Sequence, residues 1–186
     1  MRVSDFHPRI RHGLNGCVTI GSVVVCALIL LTRLPGMELL GVGPNWLLIW
    51  VVAWSLQRTP FQGAIAGLCL GLMQDGLTVH HPTHTLSLAI AGFLTARLQK
   101  QKYIQEDFIS VAMIVFGMAV VVETIMALQF SLSVLLDQLP SSYLILTETW
   151  IYHQQVALSS AILSSLWAPV VYYPLSRWWK AIRALS

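Results

Sequence analysis

Two carboxylates, Asp75 and Glu123, stand inside apolar stretches of this 186-residue sequence and are the residues best suited to chemistry. Glu123 lies within the apolar run 118–127, and Ala119 and Ala127 would share its face of a helix. A carboxylate in such surroundings should face neighbouring helices and be hydrogen-bonded, or should carry a proton. We interpret Glu123 as a polar anchor between helices, with a ligand or proton site as the functional alternative.

Asp75 closes a glycine-rich apolar run, where a carboxylate is unfavourable unless it is paired, hydrated or capping a turn. It therefore either caps the following turn or binds a partner. The nearby histidines His80, His81 and His84 would suit several divalent metals together with Asp75. Because Pro82 interrupts the segment and the spacing matches no established metal site, we predict loop histidines and no bound metal.

The sequence carries no recognisable catalytic motif. It has no Ser-His-Asp order, no HExxH pair and no phosphate-binding Walker A loop. Cys17, Cys26 and Cys69 lie in apolar segments without ligand spacing, which is typical of small buried side chains. The net charge of +3 is too small to indicate a nucleic-acid partner. We therefore predict no catalytic residues, no cofactor and no enzymatic activity.

Membrane helices are the elements that must position these side chains. Hydrophobic residues make up 56% of the sequence and charged residues 10%, whereas a soluble domain carries about 25% charged residues. A spanning helix needs about 20 mostly apolar residues, and six segments meet or approach that length. The segments are 13–33, 39–57, 61–79, 85–98, 108–130 and 155–174. The sequence thus predicts an all-α integral membrane protein, one transmembrane domain over 1–186.

The basic residues orient this predicted bundle. In a six-helix arrangement all Lys and Arg residues except Arg33 fall on one side of the membrane. Because cytoplasmic loops carry the excess of basic residues, both termini are predicted to be cytoplasmic. The longest connection, 131–154, then lies outside. It is too polar to span and too apolar for a free linker, so we predict an amphipathic interfacial segment.

Small residues recur every four positions on two of the predicted helices, a spacing that lets membrane helices approach closely. The stripes are Gly63, Gly67 and Gly71 with Gln74 at their end, then Ala157, Ala161 and Ser165, and then Ser160, Ser164 and Ala168. We predict that the glycine stripe is a close helix contact. The sixth helix is predicted to pack against its own bundle or against a partner helix.

The chain resembles the MreD family, small membrane proteins of the bacterial rod-shape machinery, over nearly its whole length. Its size and its six-helix plan with both termini inside fit that family. Three motifs add to the likeness: Pro44-Asn-Trp-Leu47, Gly63-x3-Gly67-Leu-x2-Gly71-Leu-Met-Gln-Asp75, and Ala91-Gly-Phe-Leu-x-Ala-Arg97 with a basic segment after it.

The resemblance implies a non-catalytic subunit of the bacterial inner membrane that binds MreC, a bitopic membrane protein. Through MreC it implies contact with a wall-synthesising glycosyltransferase and transpeptidase pair and with the MreB cytoskeleton. It also implies a bundle like the substrate-binding subunits of energy-coupling vitamin transporters, which gives the alternative function of a small-molecule-binding transporter subunit. Since no soluble domain is apparent, we expect the chain to bind the MreC membrane helix through its small-residue faces.

Overall fold

The computed structural model describes residues 8–32, 36–78, 84–99, 107–136 and 142–184, which contain six helices and no β-strand. This confirms the all-α prediction. The helices, in chain order, are α1 Pro8–Thr32, α2 Trp46–Ser55, α3 Pro60–Thr78, α4 His84–Gln99, α5 Phe108–Leu136 and α6 Ser142–Arg183.

Helix α2 lies at the centre of the bundle. Its side chains are apolar on every face, the composition of a helix that other elements surround. Nine of its ten residues are buried, and it contacts each of the other five helices. Asn45 caps the start of the helix. Its side chain accepts a hydrogen bond from the Leu48 amide at 3.0 Å and so satisfies a free amide of the first turn.

Helices α1 and α6 hold α2 by polar contacts as well as by packing. The Asn45 amide donates to Ser164 Oγ on α6 at 2.9 Å, and Trp50 Nε1 donates to Ser22 Oγ on α1 at 2.8 Å. The Trp50 ring also meets Trp179 of α6 edge-on, with 6.2 Å between ring centroids. These bonds join groups that apolar surroundings would otherwise leave unpaired, so they fix α2 between the first and last helices.

Helices α3 and α4 touch backbone to backbone. A Cβ atom placed on Gly67 would overlap the Leu88 carbonyl, and one on Gly71 would overlap the Thr85 backbone. The contact is reciprocal at its other end, because Gly63 and Gly92 leave each other no room for a side chain. The predicted glycine stripe is therefore filled within the chain.

Asp75 joins the end of α3 to the start of α4. Its Oδ1 accepts from the His84 amide at 3.0 Å and lies 2.8 Å from His84 Nδ1. Its Oδ2 accepts from the Thr85 amide at 3.1 Å and from the Thr85 hydroxyl at 2.5 Å. A carboxylate at this position satisfies free amides of the first turn of α4 and offsets the positive end of its dipole.

Two boundaries differ from those expected from the sequence. The predicted helix 39–57 is a ten-residue helix. Of the predicted interfacial segment 131–154, the described residues 131–136 belong to α5 and 142–154 to α6. Both of these helices extend into the segment because no glycine or proline interrupts 118–136 or 142–168. With 29 and 42 residues, α5 and α6 are about 44 and 63 Å long.

Three helices are long and apolar enough to cross a bilayer, namely Gly13–Thr32 within α1, Phe108–Leu136, and Leu146–Arg183 within α6. They confirm the expected membrane protein. Helix α2 is equally apolar, but its ten residues reach only about 15 Å, half of a hydrocarbon core about 30 Å thick. The described chain thus combines long helices with a short, enclosed one.

Replacing Gly67 with Leu should destabilise the protein strongly, because the new side chain would force the α3 and α4 backbones apart. We expect the free energy of unfolding to fall by about 3 kcal/mol or more, at the upper end of overpacking effects. Thermal unfolding in detergent measures the change. Gly117→Leu is the matched control, since a Cβ at Gly117 meets nothing within 4 Å. Equal stability of the two variants would contradict the close contact.

Replacing Asp75 with Ala should lower the free energy of unfolding by about 2 kcal/mol, as the loss of a strong helix cap does. The His84 and Thr85 amides would lose their acceptor. Asp75→Asn keeps an acceptor oxygen and should cost less, so the three proteins should rank wild type, Asn, Ala in unfolding temperature. An Ala variant as stable as the wild type would show that the cap contributes nothing.

Candidate functional site

Glu123 and His153 lie side by side between α5 and α6, within hydrogen-bonding distance. His153 Nδ1 lies 3.3 Å from Glu123 Oε2, and Glu123 is only 7% exposed. The hydrogen-bonding neighbour expected for Glu123 is therefore on the next helix. Sequence reasoning missed His153 because it placed that residue in a separate interfacial segment. The available signal was symmetry: both residues stand fifteen positions from residue 138, as an antiparallel hairpin would pair them.

A cavity of about 320 Å³ opens beside this pair, between α5 and α6. Polar side chains line it beside the Glu123–His153 pair, and its remaining walls are apolar or small. The lining residues are Val120, Glu123, Thr124, Ala127, Trp150, His153, Gln154, Ala157 and Leu158. The cavity stays open because alanines of α5 and α6 line it, and their side chains are too small to fill it.

The small residues of α6 fall into two groups with different surroundings. Ser160, Ser164 and Ala168 are all buried, and Ser164 accepts the bond from the Asn45 amide. On the neighbouring face Ala161 is fully buried, whereas Ala157 and Ser165 are half-buried. This second face therefore begins at the cavity rim, with Ala157, and is only partly covered by the chain itself.

The polar residues of α3 are occupied or enclosed. Both oxygens of Asp75 are held by the start of α4, so the described geometry is that of a cap. Gln74 is 4% exposed, and its Oε1 accepts no hydrogen bond from the described residues. Within those residues, no three His, Cys, Asp or Glu side chains stand together as metal ligands would. His80 and His81 lie outside the described residues.

A second cavity, of about 510 Å³, lies between the end of α1, residues 37–46, the junction of α3 and α4, and the first half of α6. Glu38, Thr78, His84 and Tyr152 are among its lining residues. The His84 ring already lies against Asp75. The predicted site residues are thus divided: the α3 group adjoins α4, and the Glu123 and α6 group adjoins the α5–α6 cavity.

Basic side chains gather where α2, α3 and α6 meet at the opposite end of the bundle. Arg183 donates to Gln57 Oε1, and Gln57 Nε2 donates to Ser176 Oγ at 3.0 Å. The Arg58 guanidinium lies over the Trp54 ring, 5.1 Å from its centroid. Burial, and then the nearby charge of Arg183, lower the pKa of Arg58 from its usual value.

Comparison with known proteins identifies the family of this chain. No curated protein and no solved structure shows a significant match. A family model described as rod shape-determining protein MreD matches residues 13–175, which include every described helix in whole or in part. The match bears out the resemblance seen in the sequence motifs. The chain therefore belongs to the MreD family of rod shape-determining membrane proteins.

Proposed function

We propose that this chain is a non-catalytic, multi-pass subunit of the bacterial inner membrane that binds MreC and helps to organise peptidoglycan synthesis. Family membership supports a role in cell shape. The observation that carries the rest is the half-buried face of α6 at Ala157 and Ser165, beside an open cavity. A surface of this kind suits recognition by another membrane helix, because small residues permit close packing there.

Six crossings with both termini cytoplasmic are part of this proposal. Helices α1, α5 and α6 have the length and composition to span, and α2, α3 and α4 pack among them. The bond from Arg183 to Gln57 brings the end of α2 beside the end of α6. In a six-crossing bundle α2 and α6, which are four apart in order, run in the same direction, so their C-terminal ends lie on the same side of the membrane. The basic cluster at their ends supports a cytoplasmic face there.

The proposed partners beyond MreC are indirect. A wall-synthesising glycosyltransferase and transpeptidase pair, and MreB, would be reached through MreC rather than through this chain. Recognition would have to use membrane faces, since the described helices form one bundle and no separate domain. Nothing in the comparisons supports the alternative of a vitamin-transporter subunit.

Cysteine labelling in intact cells should verify the proposed topology. In a background without native cysteines, Ser141→Cys should react with a membrane-impermeant maleimide, because the connection between α5 and α6 is predicted to be outside. Ser4→Cys and Ser186→Cys should react only after the cells are permeabilised. A terminal cysteine that reacts in intact cells would contradict the six-crossing arrangement.

MreC should co-purify with this chain from native membranes solubilised in mild detergent, because the proposed contact is between membrane helices and needs no soluble domain. Mass spectrometry of the affinity-purified chain measures the recovery. A single-helix membrane protein of unrelated function, expressed at the same level, serves as the control. Recovery of MreC no higher than that of the control would contradict the proposed function.

A further inference from the structure

We propose that the groove between α5 and α6 receives the transmembrane helix of the partner, which donates a hydrogen bond to the Glu123–His153 pair. The groove is the 320 Å³ cavity described above. This inference rests on the proposed function and assigns it a place on the molecule. The occupant is a membrane helix that carries a donor side chain near the middle of its span.

The Glu123–His153 pair has unused hydrogen-bonding capacity. An ionised carboxylate offers about four acceptor positions, yet the described residues supply Glu123 with one partner, His153 Nδ1 at 3.3 Å. No described residue bonds Glu123 Oε1 or His153 Nε2. Both side chains line the groove. An incompletely paired carboxylate in a membrane is unfavourable, so a donor that enters the groove would be strongly favoured.

The groove has the size and walls to receive side chains of a helix packed against it. Its volume of about 320 Å³ is roughly ten times that of a water molecule, enough for several side chains. Ala127 and Ala157 keep the flanking backbones accessible, as in other close contacts between membrane helices. Leu158, at the rim, is 57% exposed and offers the entering helix apolar contact.

The depth and charge of the pair favour a helix over a lipid. Glu123 lies about 20 Å along α5 from either end of that helix, so a phosphate headgroup at the membrane surface would not reach it. An acyl chain could fill the groove but has no donor for the carboxylate. A partner helix can place Ser, Thr, Asn, Gln or a basic side chain at this depth.

Site-specific photo-crosslinking tests where the partner lies. A photoreactive residue at Leu158 should capture MreC in native membranes. The matched control is Ile20 on α1, which is 66% exposed and is not among the residues that line the groove. Capture from Leu158 with at least tenfold less from Ile20 is the expected result. Equal capture from both positions, or adducts at Leu158 with lipid alone, would overturn the proposed site.

Two substitutions test the chemistry in the full-length chain. Ala157→Leu should fill the groove mouth and reduce MreC recovery at least tenfold, whereas the control Gly117→Leu should not. Glu123→Gln keeps the shape but removes the charge, and it should weaken binding by about three- to twentyfold, the range for hydrogen bonds between membrane helices. Size-exclusion chromatography confirms that each variant is folded.

The outcomes separate this inference from the proposed function. If wild-type chain recovers MreC while Ala157→Leu recovers as much, the partner docks elsewhere and only the groove assignment fails. If wild-type chain recovers no MreC, the proposed function fails with it. A small molecule that co-purifies at one per chain and is lost from Glu123→Gln would make the groove a ligand site and would also overturn the inference.

Discussion

The requirement that α2 be covered on every side governs the rest of the structure. A ten-residue helix with apolar side chains all round has no face for water, and by itself it covers only about half of a hydrocarbon core about 30 Å thick. It is stable only when other helices enclose it, and all five others contact it. The bonds from Asn45 and Trp50 to serines of α6 and α1 complete the enclosure by pairing polar groups within it.

The two helical hairpins around α2 solve their packing differently. In α3–α4 glycines bring the backbones together and leave no space, so this contact serves the fold. In α5–α6 the contact is extensive, but alanines flank the Glu123–His153 pair and leave a cavity. The bundle therefore contains one hairpin with no space between its helices, α3–α4, and one with a cavity, α5–α6. The difference explains why a small-residue stripe alone does not reveal whether it serves packing or recognition.

Composition and spacing were enough to predict the helical membrane class and a close contact along Gly67, and the resemblance of the motifs pointed to the family. They were not enough to choose between the two roles weighed for Asp75, because the answer depends on α4 returning to within 3 Å of the carboxylate. His153 was missed since its partner is thirty residues away. The shortness of α2 was also missed, because the sequence of the apolar run 39–57 does not show which of its residues are helical and enclosed by other helices.

Helices α3 and α4 make weak candidates for entering a membrane singly. One contains Gly63, Gly67, Gly71 and Gly76, and the other has sixteen residues. Together, the two helices pair each other's polar groups. The Asp75 carboxylate of α3 accepts hydrogen bonds from the first turn of α4, and the two backbones meet along the glycine stripe. Because unpaired polar groups are unfavourable in lipid, the paired hairpin partitions into the membrane more favourably than either helix alone. The hairpin, rather than the single helix, is thus the natural unit of insertion during biogenesis.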